Sequence, residues 1–210
     1  MPRPGWLSPR TLAKGLLRVL ANLAVSPMLL SFALGRLVLG RDRALQHSSE
    51  WLSLVPGMSG QQLRRAFLGW TLAECHPSAY IGFGSTFSKC DAKIGENVYV
   101  GPGCRLGRVH LGRDTLLGPG VEITSGSRMH GTSDPSVPIR EQPGVFERVV
   151  IGEGCWIGSK AVVMADVGDG SVIGAGAVVT RAVPAMVIAG GVPAKVIRSR
   201  IAADADETRV

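Results

Sequence analysis

From Ile81 onward the chain repeats a short unit, an aliphatic or aromatic residue followed by Gly or another small residue. The first run is Ile81-Gly82, Phe87-Ser88, Ile94-Gly95, Val100-Gly101, Leu106-Gly107, Leu111-Gly112, Leu117-Gly118 and Ile123-Thr124, at steps of 6, 7, 6, 6, 5, 6 and 6. The second is Ile151-Gly152, Ile157-Gly158, Val163-Met164, Val167-Gly168, Ile173-Gly174 and Val179-Thr180, at steps of 6, 6, 4, 6 and 6. Neither an amphipathic helix nor an alternating strand has that period. A period of six predicts a parallel β-helix, each repeat a short strand and a turn, with the aliphatic residue pointing into the shaft. Glycine suits the turn because it tolerates positive φ. The four-residue step from Val163 to Val167 leaves one coil two residues short and the contacts of residues 165–170 undefined.

Between the runs, residues 125–150 lack the repeat and carry Pro135, Pro138, Pro143, Gly126, Gly131 and Gly144. Long insertions in a regular solenoid are usually functional. The expected organisation is therefore an N-terminal helical region over 1–78, a β-helix over 79–198 with an extended loop at 125–150, and a tail over 199–210. The polar end, residues 202–210, is expected to fray.

The first eighty residues read as helical. Val19 to Gly35 is a seventeen-residue stretch without a charge, bracketed by Arg18 and Arg36. As a helix it reaches roughly 26 Å, short of the roughly 30 Å hydrocarbon core. Pro27 in its middle is expected to kink or break it, giving a broken helical pair that dips into one leaflet. A secretory signal and packing against a partner subunit are the competing readings. A second helix is expected over 41–55. A third is expected to be capped by Ser59, with Gln62 in the reciprocal position, and to run to about Cys75 with Leu63, Ala66, Phe67 and Trp70 on one face.

Charge sharpens this reading. Of a net +7, residues 1–80 hold +6, from nine Lys/Arg against three acids. A basic, apolar N-terminal piece suggests an anionic membrane surface, with a solvated face as the plainer alternative. No basic run interleaved with aromatics suggests nucleic acid. Cys75, Cys90, Cys104 and Cys155 are scattered without ligand spacing, so they read as buried and reduced, and no metal is expected.

Three segments resemble the hexapeptide acyltransferases of the maltose, galactoside and xenobiotic acetyltransferase group: Val150-Ile151-Gly152-Glu153-Gly154-Cys155-Trp156-Ile157-Gly158-Ser159; Val172-Ile173-Gly174-Ala175-Gly176-Ala177-Val178-Val179-Thr180; and Ala189-Gly190-Gly191-Val192-Pro193-Ala194-Lys195-Val196-Ile197-Arg198. The resemblance covers roughly 81–198. It implies a left-handed β-helix with about three hexads per coil, a homotrimer with active sites between subunits, and acetyl-CoA as donor. It implies His130 as the catalytic histidine and Trp156 beside the pantetheine arm. It implies Ser159, Ala175, Thr180, Lys195 and Arg198 along coenzyme A. Gly40-Arg41-Asp42-Arg43-Ala44 and Leu54-Val55-Pro56-Gly57 are similar to bacterial acyltransferases of surface-polysaccharide synthesis. That similarity implies a sugar hydroxyl on a glycan or lipid-linked saccharide, met at the cytoplasmic face of the inner membrane.

The chemistry is consistent with these residues. An alcohol needs a base before it attacks a thioester, and histidine's ordinary pKa of about 6.5 suits that task. The protonated imidazole then returns its proton to the departing thiolate, and a backbone N–H steadies the oxyanion. Lys195 and Arg198 are cations suited to the phosphates of coenzyme A. Glu122, Asp134 and Glu141 are candidates to orient His130, His110 reads as structural, and His47 and His76 are given no chemistry. Three other functions stay open: transfer to a small soluble amine such as serine or a nucleotide sugar, a zinc enzyme resembling the γ-type carbonic anhydrases, and a non-catalytic membrane scaffold.

Overall fold

A computed structural model describes residues 9–201; the predicted fraying of 202–210, and residues 1–8 of the N-terminal region, lie outside it. Three helices lead the chain: α1 (Pro9–Leu39), α2 (Arg41–Ser53) and α3 (Gly57–Thr71). A parallel β-helix follows. Its first coil holds β1 (Glu74–Cys75), β2 (Tyr80–Ile81) and β3 (Thr86–Phe87). The second holds β4 (Lys93–Ile94), β5 (Tyr99–Val100) and β6 (Arg105–Leu106). The third holds β7 (Val109–Leu111), β8 (Leu116–Leu117) and β9 (Glu122–Ile123). After the long loop come β10 (Val149–Ile151), β11 (Trp156–Ile157) and β12 (Val162–Val163), then β13 (Val172–Ile173), β14 (Val178–Val179) and β15 (Val187–Gly190). β16 (Lys195–Ser199) turns back antiparallel on β15 and closes that end.

Corresponding strands of successive coils stack into three faces: β1-β4-β7-β10, β2-β5-β8-β11-β13-β15, and β3-β6-β9-β12-β14. The fold is a left-handed β-helix of about six turns. All fourteen aliphatic or aromatic residues of the hexad pattern point inward and are 3% exposed or less. Full burial of each contributes on the order of 1.5–3 kcal/mol. Corner glycines let coils stack: a Cβ on Gly101 would stand 2.7 Å from the Leu117 carbonyl oxygen above.

The short step is a feature of the fold. Val167 bridges Ile151 and Val183, and the same four-residue step recurs from Val179 to Val183. Asp166 fills the shortened corner by accepting the Val150 N–H at 2.8 Å. Small polar side chains occupy a second inward position. Ser85, Cys104, Thr115, Cys155 and Ser171 each donate to a corner carbonyl of the next coil, over 2.7 to 3.3 Å. With Cys90, whose thiol donates to the Arg41 carbonyl at 3.4 Å, three of the four cysteines have a structural hydrogen-bonding role, and all four are free thiols. Burial pushes Cys75 up to about 12 and Cys90 up to about 11, so both stay protonated.

The helical cap departs from expectation in three ways. First, α1 runs unbroken through Pro27. Proline deprives the Leu23 carbonyl of its usual partner, and the Ser26 hydroxyl takes that place at 2.7 Å. There is therefore one long helix, not a broken pair. Second, Ser59 does not cap α3. The helix begins at Gly57, and the Ser59 hydroxyl donates to the Pro56 carbonyl inside the first turn. Third, the buried face of α3 is Gly60, Arg64, Phe67, Leu68 and Thr71, so Trp70 stands exposed. Arg64 is inward because its guanidinium donates to the carbonyls of Leu52, Val55 and Ile81, tying α2, the α2–α3 turn and β2 together. α1 lies on α2 and α3 through Ala21, Val25 and Phe32, with Phe32 edge-on to Phe67 at 5.9 Å.

Candidate active site

The long loop leaves the solenoid after β9. Its two limbs run back against each other: the Glu147 N–H donates to the Ser125 carbonyl, and the Val145 N–H to that of Arg128. Arg128 also pairs with Glu147 at 2.5 Å. Gly144 is required where the limbs cross, because a Cβ there would lie 1.9 Å from the Met129 carbonyl oxygen and 2.9 Å from the His130 nitrogen. The outer turn is organised by Gln142. Its amide donates to the carbonyls of Asp134 and Val137 at 2.7 and 2.8 Å and accepts the Asp134 N–H at 3.1 Å. His130 is exposed, and its ring makes no hydrogen bond to the described residues.

Beside this loop lies a cleft of about 230 Å³. Its floor is the outer surface of β3, β6 and β9, where Thr86, Arg105 and Glu122 stand in register. Met129 and Phe146 of the loop and Gln46 of α2 form the walls, and Lys89 guards one edge. The Lys89 ammonium pairs with Asp42 of α2 at 3.0 Å and sits 4.5 Å over the Phe146 ring. That cation–π contact is worth about 0.5–1 kcal/mol at an exposed site. Asp42 also accepts the Cys90 N–H. Burial raises its pKa, but the Cys90 N–H and Lys89 outweigh this and hold it below the ordinary value. The cleft is therefore assembled from cap, solenoid and loop together. Among the described residues Arg105 has no carboxylate partner, although Glu122 is its neighbour across the sheet.

The residues singled out in the sequence fall in three places. His130 adjoins Met129 at the cleft. Ser159 and Ala175 occupy equivalent turns after β11 and β13, where the Ser159 carbonyl accepts the Gly176 N–H. Lys195 and Arg198 lie close by on β16, opposite Gly190 and Ile188. Thr180 follows β14 on another face, at the corner type from which the long loop departs. Trp156 is 55% exposed on β11, within an outward apolar row of Tyr80, Tyr99, Leu116, Trp156, Val172 and Ile188. One copy of the chain does not gather all seven around a single cavity.

Of the acids considered for His130, Asp134 accepts from the backbone and hydroxyl of Ser136, Glu141 faces Arg140, and Glu122 lies on the cleft floor. Among the described residues none of the three receives a hydrogen bond from His130. Thr86 and Arg105 were missed, yet their signal was present. Like Glu122, each immediately precedes the inward residue of a hexad, three hexads apart, so the register alone puts all three on one outer row. Gln142 and Lys89 carried no such signal.

Comparison with known proteins identifies the family. The model of the bacterial transferase hexapeptide (six repeats) matches residues 91–125 and 148–181. Galactoside O-acetyltransferase of Escherichia coli is 31% identical over 166 residues, covering 69% of this chain and 82% of the relative. The chain belongs to the hexapeptide-repeat transferase family. Within it the chain is an acyltransferase that uses acetyl-CoA as donor. WbbJ of Escherichia coli, an O-acetyl transferase assigned to lipopolysaccharide biosynthesis, is 32% identical over 56% of this chain and 62% of its own length. A galactoside acetyltransferase solved in complex with coenzyme A shares the fold at a TM-score of 0.65 and 24% identity, over 76% of this chain and 80% of that one.

Proposed function

We propose that this acyltransferase moves an acetyl group from acetyl-CoA to a hydroxyl of a sugar in a bacterial surface polysaccharide or its lipid-linked precursor. The reading rests on the long interruption of the hexads, a braced loop that carries exposed His130 next to a polar-floored cleft. Thr86, Arg105 and Glu122 offer both donors and acceptors, as a polyol requires. WbbJ, assigned to lipopolysaccharide biosynthesis, supports the choice of acceptor. His130 takes the hydroxyl proton as the sugar oxygen attacks the thioester carbonyl. The tetrahedral intermediate then expels the coenzyme A thiolate, which recovers that proton from the imidazolium.

The donor lies between copies of the chain in a homotrimer. Two observations favour this: Tyr99, Leu116 and Trp156 of the outward apolar row stand exposed among the described residues, and Ser159, Ala175, Lys195 and Arg198 lie on a different edge from His130 and Thr180. The three-part organisation read from the sequence stands with it, residues 1–78 carrying the solenoid to the cytoplasmic face of the inner membrane. The exposed leucines of α1 and the cations Arg18, Arg36, Arg41 and Arg43 support that placement.

The test is incubation of purified protein and labelled acetyl-CoA with a panel of oligosaccharides, serine and nucleotide-sugar amines, reading products by mass. Label is expected on a sugar oxygen. His130→Ala is expected to lower kcat by roughly 10²–10⁴ with an unchanged Tm, since the residue is exposed and its ring makes no hydrogen bond to the described residues. Full turnover in that variant refutes the base assignment, and label on an amine refutes the acceptor.

A further inference from the structure

On the flank where α1 crosses α3, three hollows adjoin. The first, of about 280 Å³, is bounded by Leu17, Arg18, Gln62, Arg65, Pro77 and Ser78. The second, of about 250 Å³, shares Arg18, Arg65 and Pro77 with it and adds Asn22 and Trp70. The third, of about 370 Å³, shares Leu17 and Gln62 with the first and continues over Leu20, Ala24, Met58 and Leu63. A basic mouth thus opens into a groove lined almost wholly by hydrocarbon.

The mouth is built for negative charge. Arg65 is half-buried and fixed, donating to the Pro77 carbonyl at 2.9 Å and to Gln62 at 2.5 Å. Arg18 faces it from α1. Among the described residues neither guanidinium pairs with a carboxylate. Burial, and then the charge of Arg18, push the Arg65 pKa below its ordinary value. Two like charges sharing a hollow repel until an anion joins them, and the guanidinium fork matches phosphate oxygens. Trp70 stands at the rim with its indole N–H on Asn22 at 2.8 Å. An indole half in hydrocarbon and half polar is the arrangement found at headgroup depth.

We propose that this flank binds an anionic membrane phospholipid, with Arg18 and Arg65 on the phosphate and an acyl chain in the groove of Leu17, Leu20, Ala24, Met58 and Leu63. The inference rests on the membrane reading of the cap and names the lipid that the cap meets. Charge complementarity at the mouth, and the continuity of mouth and groove through Leu17 and Gln62, select this occupant over a purely apolar protein segment.

The full chain is sedimented with vesicles of phosphatidylcholine, alone or mixed with phosphatidylglycerol. Binding is expected on the mixed vesicles, and Arg18→Gln is expected to weaken it about fivefold, near 1 kcal/mol per basic residue. Arg36→Gln is the control. Arg36 lies eighteen residues further along α1, about 27 Å away, and its loss is expected to matter less. Arg18 is exposed, so its variant keeps the fold. Equal losses from both variants, or calorimetric binding of inorganic phosphate alone as tight as that of the lipid, overturn the site while sparing the membrane reading. No binding to either vesicle overturns both. Acetylation of a soluble oligosaccharide is expected to persist in both variants, so the catalytic reading is judged separately.

Discussion

The solenoid and the helical cap are both rich in aliphatic residues and dispose of them in opposite ways. In the solenoid Ile81, Ile94, Ile157 and Ile173 are wholly buried. In the cap Leu23 is 65% exposed, Leu37 77% and Trp51 70%. Each solenoid repeat needs only its neighbours above and below to hide its apolar residue. A helix buries one stripe. α1 spends that stripe, Ala21, Val25 and Phe32, on α2 and α3, and among the described residues nothing buries its Leu16, Leu23, Leu34 and Leu37. Burial of its aliphatic residues is what stabilises the solenoid, whereas the exposed leucines of α1 add little to the stability of the fold.

That contrast gives its own tests. The largest expected effect is in the shaft: Ile157→Ala should cost about 2–5 kcal/mol, read by urea denaturation. Leu23→Ser, on the bare side of α1, should change stability by no more than about 0.5 kcal/mol yet reduce partition onto vesicles. A large stability loss from Leu23→Ser would place that face inside the folded unit and break the comparison. Next comes the joint between the two regions. Arg64→Met leaves three carbonyls without their shared donor and should cost about 1–3 kcal/mol. If the loss is smaller, the cap is held by apolar packing alone.

Smallest is a pH effect at the second joint. The folded-state pKa of Asp42 is lowered, so its contribution to stability is complete above the unfolded value near 3.9 and is lost as pH falls through the folded value. Asp42→Asn should flatten the stability profile below pH about 4 and loosen Lys89 at the cleft edge. An unchanged acid limb would show that the pair does not couple cap to cleft. His110 shifts in the same sense. Burial and then Arg148 and Lys93 lower its pKa, so protonation below about 6.5 favours the unfolded chain.

The hexad rhythm was legible because a β-helix is local: every inward residue is set by its place in a period of six, and all fourteen read from the sequence point inward. The place where the rhythm stops was legible for the same reason, and with it the loop of His130. The break assigned to Pro27 failed because periodicity ignores a neighbour's hydroxyl, and Ser26 supplies the partner that proline removes. The face of α3 was misread at Trp70 and Arg64 because an arginine with three carbonyls to satisfy overrides the hydrophobic pattern.

The chain by itself determined the shaft, its interruption and the family, since each depends on residues six apart or on a run of identities. Only the tertiary structure decided what braces the loop of His130 and walls the cleft beside it: the Gln142 clamp, the Asp42–Lys89–Phe146 bridge, and Gln46 of α2 brought over the row of Thr86, Arg105 and Glu122. Those contacts join segments far apart in the chain, Asp42 to Lys89 and Lys89 to Phe146, and their energies come from hydrogen bonds and desolvation that exist only once the coils have stacked.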